Sequence, residues 1–154
     1  VIGDCETSTL QMASKVGDFG YITTCSTACS SAANAFIVGA ELIRSGLYSK
    51  VAVGGTEALS KFHLNGFNSL MILDKEICRP FDATRAGLNL GEGAAFMVLE
   101  TLESAMERGA TPLALLSGWG NACDAFHQTA TSAQGEGGYL SMSKALECAK
   151  LTPA

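Results

Sequence analysis

The run Thr23-Thr24-Cys25-Ser26-Thr27-Ala28-Cys29-Ser30-Ser31-Ala32-Ala33-Asn34-Ala35 constrains this chain more than any other stretch. β-Branched residues lead up to Cys29 and favour extended backbone, whereas the small residues after it favour a helix. The pattern predicts a strand over residues 21–26, a turn at Cys29 and a helix from Ser30 to about Ser45. Within that helix Ala33, Phe36, Ile37, Ala40 and Ile43 fall close to one face, and Gly46 is its natural stop. The turn puts a thiol near unpaired N–H groups and the positive end of the helix dipole, which together favour a thiolate. A thiolate is the form that attacks a carbonyl carbon. The expected role of Cys29 is therefore to carry an acyl group.

The rest of the chain alternates strands and helices. Residues 50–53 read as a short apolar strand ending at Gly54-Gly55. Residues 59–82 read as a long irregular stretch, a feature that is usually functional inside a compact domain. Ala94-Ala95-Phe96-Met97-Val98-Leu99 suits a buried strand. The segment from Thr101 to Gly109 has a helix-start Thr, early acidic residues and a Gly stop. Residues 113–117 read as another strand, and residues 139–151 as a terminal helix. This alternation predicts a layered α/β fold.

Composition narrows the function. The chain has 154 residues and a formal net charge of −5, with no basic run, which argues against nucleic acid as a partner. The longest apolar run near the cysteine helix is broken by Glu41, so no membrane span is expected. Six cysteines are present without a CxxC pair or regular spacing, which suits a reducing cytoplasm better than a disulfide framework. Cys25 and Cys29 are four apart, but no further ligands with metal-site spacing accompany them.

Thr-Ala-Cys-Ser-Ser resembles the nucleophile motif of the β-ketoacyl-acyl carrier protein synthases, the condensing enzymes of fatty-acid and polyketide synthesis. Val51-Ala52-Val53-Gly54-Gly55-Thr56-Glu57-Ala58 is similar to the family's strand and Gly-Gly turn. Arg79-Pro80-Phe81-Asp82, Arg85-Ala86-Gly87 and Gly91-Glu92-Gly93-Ala94-Ala95 are similar to its R-P-[FW]-D, R-x-G and G-[ED]-G-A block. Asp124-Ala125-Phe126-His127 resembles a D-A-[YF]-H segment of the elongating branch. The order and spacing also match, over nearly the whole chain.

The resemblance implies a thiolase-like αβαβα fold, of which this chain is expected to hold an incomplete portion. Residues 1–154 are expected to span the end of the N-terminal half and the start of the C-terminal half, with no separate second domain. The family's two catalytic histidines lie in E-x-H-G-T-x-T and G-H-x-x-G-A-x-G segments, and neither occurs here. The chain is therefore expected to be a central fragment, unable to complete a condensation alone.

By the same resemblance, Cys29 is the acyl-accepting nucleophile and its own N–H an oxyanion donor. Phe67 belongs near the acyl pocket and the carrier entrance, or else simply packs its loop. Asp124, His127 and Thr129 belong to a loop at the pocket entrance. For His127 two other readings stay open: a base for Cys29, and plain structural hydrogen bonding. Arg79, Asp82, Arg85 and Glu92 are expected to hold the turns around Gly87, Gly91 and Gly93. No cofactor or metal is implied, because the phosphopantetheine arm of an acyl carrier protein delivers substrate. That carrier is the expected partner, together with a second subunit in a dimer. Three alternatives remain: an initiating synthase or thiolase using coenzyme A thioesters, a polyketide or aryl-polyene synthase, and a non-catalytic chain-length-type subunit.

Overall fold

The computed structural model describes residues 5–153. In chain order the elements are α1 (Cys5–Val16), a 3-10 turn (Ala28–Ser30), α2 (Ser31–Arg44), β1 (Lys50–Glu57), α3 (Lys61–Ser69), β2 (Gly93–Glu100), α4 (Leu102–Glu107) and α5 (Glu136–Ala149). β1 and β2 are neighbours in a two-stranded sheet. The chain divides into two compact units. One comprises the residues up to Val53 and from Val98 onward, and the other is Gly54–Met97.

In the first unit α2 is the central element. Its expected extent is nearly that observed. It ends as predicted at Gly46, which has φ +74°; the Gly46 N–H donates to Ile43 O and the Leu47 N–H to Leu42 O. These two bonds satisfy carbonyls that the helix leaves open at its end. Gly39 sets how closely the helix approaches the strands. A Cβ there would lie 2.4 Å from Val53 Cγ1 and 3.4 Å from Leu99 Cδ1. The absent side chain at Gly39 is thus a packing requirement, and Ala40 and Val53 form part of the small buried core around it.

α2 also holds residues 118–121. Trp119 Nε1 donates to Glu41 Oε1 at 2.9 Å, and the Arg44 guanidinium lies 5.2 Å from the centre of the Trp119 ring. The same segment runs against α5 through two glycines. A Cβ on Gly118 would meet Ala145 O at 2.4 Å, and one on Gly120 would meet Ser141 O at 2.3 Å. α4 starts where its sequence says it should: the Thr101 hydroxyl accepts from the Ser104 N–H at 3.2 Å. Glu100, just before it, pairs with Arg108 and lies 3.9 Å from Lys50 Nζ.

Two expected strands do not form. Residues 21–26 and 113–117 are irregular. An extended segment becomes a strand only when a neighbour completes its ladder. Among the described residues the ladders are the β1–β2 sheet and an isolated Leu73–Leu88 bridge. Leu113 and Leu115 accordingly stand in solvent.

In the second unit the stretch expected to be irregular contains α3. Ser60 caps it, accepting from the His63 N–H at 3.2 Å. The remainder is a polar loop centred on Arg79, which reaches Glu76 Oε2 at 3.1 Å, Asp74 Oδ2 at 3.5 Å and Thr84 O at 2.9 Å. The Asp82 carboxylate accepts from the Thr84 N–H and hydroxyl, and Arg85 donates to Asp82 O. Glu92 accepts from the Leu59 N–H at 2.8 Å. Arg79, Asp82 and Arg85 thus brace residues 74–85, and Glu92 reaches Leu59, whereas these bonds do not engage Gly87, Gly91 and Gly93. Gly87, at φ +157°, packs where a Cβ would lie 2.6 Å from Ile72 O.

Candidate active site

Cys29 is exposed, in the middle of the 3-10 turn that leads into α2. The turn's own bonds engage the N–H groups of Ser30 and Ser31, donated to Thr27 O and Ala28 O. The Cys29 N–H is outside them, as expected of the first turn of a helix. Ala28 has φ +54°. An alanine in this left-handed region costs about 1–2 kcal/mol relative to ordinary backbone. Such strain persists only where the surroundings over-determine it, and it clusters at functional sites.

The surroundings of Ala28 do hold it. The Ser31 hydroxyl donates to Ala28 O at 2.6 Å, and Ser31 Oγ in turn accepts from the Thr27 N–H at 2.9 Å. Ser30 occupies the helix N-cap, but its hydroxyl donates backwards to Thr27 O at 2.8 Å. Both serines therefore close the turn, consistent with their expected place as helix-start residues. Asn34, one turn further on, is buried. Its amide donates to Thr27 Oγ1 at 2.8 Å and to Ser30 Oγ at 3.3 Å. Its Oδ1 accepts from Asn121 Nδ2 at 2.8 Å, and the Asn121 carbonyl accepts from Lys144 Nζ at 3.0 Å on α5.

Asn121 opens the loop that carries Asp124, His127 and Thr129. Asp124 organises this loop: its carboxylate accepts from the Phe126 N–H at 3.1 Å and from the Ser132 N–H at 2.9 Å. The backbone bonds from Ser132 and Phe126 hold its pKa below the usual aspartate value, outweighing its partial burial. Ser132 is buried, and its hydroxyl accepts from the Glu136 N–H at the start of α5. His127 Nδ1 accepts from the Thr129 N–H at 3.1 Å. Among the described residues no hydrogen bond joins Cys29 to His127. Phe67 is half-buried on α3 in the other unit.

An exposed thiol beside an N–H that bonds to nothing among the described residues can attack an electrophilic carbonyl and offer the resulting oxyanion a donor. Among the described residues no group of three or more His, Cys, Asp or Glu side chains is arranged to hold a metal ion, and no helix is long and apolar enough to cross a membrane. Asn34 and Asn121 are the residues that motif reading missed. The signal was present: Asn34 is the only polar side chain between Ser31 and Glu41 in an otherwise apolar helix, and asparagine is a poor helix former unless its amide is employed.

Residues 11–105 match the family described as "Beta-ketoacyl synthase, N-terminal domain". The chain is 36% identical over 138 residues to 3-oxoacyl-[acyl-carrier-protein] synthase 2 of Staphylococcus aureus, covering 86% of this chain and 33% of that protein. It is 41% identical over 136 residues to the synthase of the same name from Rhizobium meliloti, covering 83% of this chain and 32% of that protein. Among solved structures, the ketosynthase ApeO in complex with its chain length factor ApeC, from Xenorhabdus doucetiae, aligns with a TM-score of 0.84 at 35% identity, over 97% of this chain and 36% of its own. A β-ketoacyl synthase from Burkholderia phymatum aligns with a TM-score of 0.77 at 38% identity, over 82% of this chain and 32% of its own. The chain thus spans about a third of the length of the curated relatives it matches. The helices and the small sheet are a portion of the thiolase-like α/β fold, as the sequence resemblance implied. With the cysteine turn and most of the chain inside the matched region, this chain belongs to the β-ketoacyl synthase family.

Proposed function

We propose that the protein containing this chain is an elongating β-ketoacyl-acyl carrier protein synthase and that Cys29 accepts its acyl group. The observation that carries this reading is the strained φ of Ala28 immediately before an exposed Cys29 at the start of α2. The Cys29 sulfur attacks the carbonyl carbon of a carrier-bound acyl thioester. A new C–S bond forms, the carrier's C–S bond breaks, and the phosphopantetheine sulfur leaves with the proton that Cys29 gave up. A malonyl thioester then loses CO2. The electron pair of the broken C–C bond attacks the Cys29 thioester and expels the cysteine sulfur.

The chain's residues act as a module spanning the end of the N-terminal half and the start of the C-terminal half of the enzyme. The Cys29 N–H is one oxyanion donor. By the family resemblance Phe67 belongs near the acyl pocket and the carrier entrance, or else packs its own loop. Asp124, His127 and Thr129 form a loop at that entrance, supported by the bonds through which Asp124 and His127 fix its backbone. Neither histidine segment of the family occurs in this sequence, so the chain by itself does not condense. No metal or redox cofactor takes part. The protein works in the cytoplasm with an acyl carrier protein and pairs with a second subunit. Solved relatives support the partner reading: the ApeO ketosynthase is described in complex with its chain length factor, and AntDE, at a TM-score of 0.89 and 28% identity over 97% of this chain and 39% of its own, in complex with the acyl carrier protein AntF.

The test is turnover by the full-length protein. Acyl-loaded carrier plus malonyl-carrier should yield a ketoacyl-carrier product carrying two more carbons than the starting acyl group, with release of CO2. Turnover only with acyl coenzyme A would instead support an initiating synthase or thiolase. Turnover with neither donor, but acceleration of a partner synthase, would support the chain-length subunit.

A further inference from the structure

We propose that Asn34 is a positioning residue for acylation at Cys29, an inference that rests on the acyl-acceptor reading above. Asn34 brackets the cysteine from both sides. Its amide donates to Thr27 Oγ1, two residues before the thiol, and to Ser30 Oγ, one residue after it. Its remaining acceptor is fixed by Asn121, which opens the Asp124–His127–Thr129 loop. The strained Ala28 therefore lies between two residues, Thr27 and Ser30, that one buried amide ties together, while the Ser31 hydroxyl holds Ala28 O itself. Losing that amide removes the side-chain tie between Thr27 and Ser30 and loosens the turn that directs the Cys29 N–H. Thiol exposure need not change.

This separates two reactions of the same sulfur. Acyl transfer passes through a tetrahedral oxyanion and needs the N–H in place. Alkylation by iodoacetamide displaces iodide at a saturated carbon, forms no oxyanion and needs only an accessible thiolate. A residue that merely kept the protein folded would slow both together.

The experiment uses the full-length protein with Asn34→Ala and, separately, Thr27→Val. Thr27→Val keeps the shape but removes the Oγ1 acceptor, so the inference survives should Asn34→Ala misfold. Transfer to Cys29 is timed by peptide mass from an octanoyl-carrier and from octanoyl-N-acetylcysteamine. Each substitution should slow acylation by about 10- to 100-fold and change carbamidomethylation by iodoacetamide less than about threefold, and the two together should slow acylation by less than the product of their separate effects, because they share the Asn34–Thr27 bond. Acylation unchanged in both variants, or acylation and alkylation slowed equally, would overturn the inference. If the unsubstituted protein takes octanoyl from the small thioester alone, the carrier-dependent function fails while the Asn34 comparison still reads out. If it takes octanoyl from neither donor, both ideas fail.

Discussion

Asn34 Oδ1 accepts a hydrogen bond of 2.8 Å from Asn121 Nδ2, joining the first turns of α2 to a loop 87 positions away. The bond ties the turn that carries Cys29 to the loop that carries Asp124. Each asparagine serves a second contact: Asn34 holds Thr27 and Ser30, and the Asn121 carbonyl receives Lys144. Truncating Asn121 leaves a buried acceptor on Asn34 without its partner. Asn121→Ala should destabilise the full-length protein by about 1–3 kcal/mol, read as a lower urea midpoint. An unchanged midpoint would mean that water replaces the lost amide.

Ala28 yields a prediction of opposite sign for two small substitutions. Its φ of +54° is open to glycine and hostile to β-branched residues. Ala28→Gly should stay within about 1 kcal/mol of the parent in stability, since strain relief offsets the added chain entropy. Ala28→Val should cost about 1–3 kcal/mol and sharply reduce acylation of Cys29. Urea melts of both variants, with acyl transfer measured alongside, check the contrast.

Gly120 tests the packing of residues 118–121 on α5. An added Cβ would sit 2.3 Å from Ser141 O and 2.8 Å from Ala145 N, both backbone atoms that cannot rotate away. Gly120→Ala should cost about 1–3 kcal/mol, with a lower thermal midpoint by circular dichroism. Gly138→Ala is the control: it lies in α5, meets nothing within 4 Å and should hold the midpoint or raise it slightly through helix propensity.

The Glu100–Arg108 pair predicts a pH dependence. The hydrogen bonds from Arg108, then those from Ser104 and the nearby positive charges, hold the Glu100 carboxyl below its ordinary value of 4.5 despite desolvation. A carboxylate with a depressed folded-state pKa stabilises the fold at pH values above its unfolded pKa. That contribution is lost as pH falls through the lower folded value. Arg108→Met should therefore lower the urea midpoint at pH 7, and the gap to the parent should shrink as pH falls below about 4. A gap that stays constant with pH would assign Arg108 a packing role through its aliphatic stem.

What the sequence made legible follows from how local each signal is. α2 was readable because its small-residue pattern, its start at Ser30–Ser31 and its Gly46 stop all lie within the element. The start of α4 was readable for the same reason, through Thr101. α3 was missed although Ser60 is a good cap, because Gly66 and the polar residues around it blur the apolar period. Residues 21–26 and 113–117 have strand-like composition, but pairing is not a local property, and no ladder forms on them. For the candidate site, motifs singled out Cys29 and the Asp124–Thr129 loop. Asn34, which ties the cysteine turn to that loop, was hidden because the value of a buried amide depends on partners far away in sequence.

The central claim is that Cys29 takes the acyl group, and peptide mass mapping tests it most directly. The full-length protein and its Cys29→Ala variant would be incubated with octanoyl-carrier, denatured, digested and weighed. The account predicts an octanoyl mass on the peptide containing Cys29, absent from the variant. A folded protein and a competent carrier that leave Cys29 unmodified, or an octanoyl group that persists in Cys29→Ala, would contradict it.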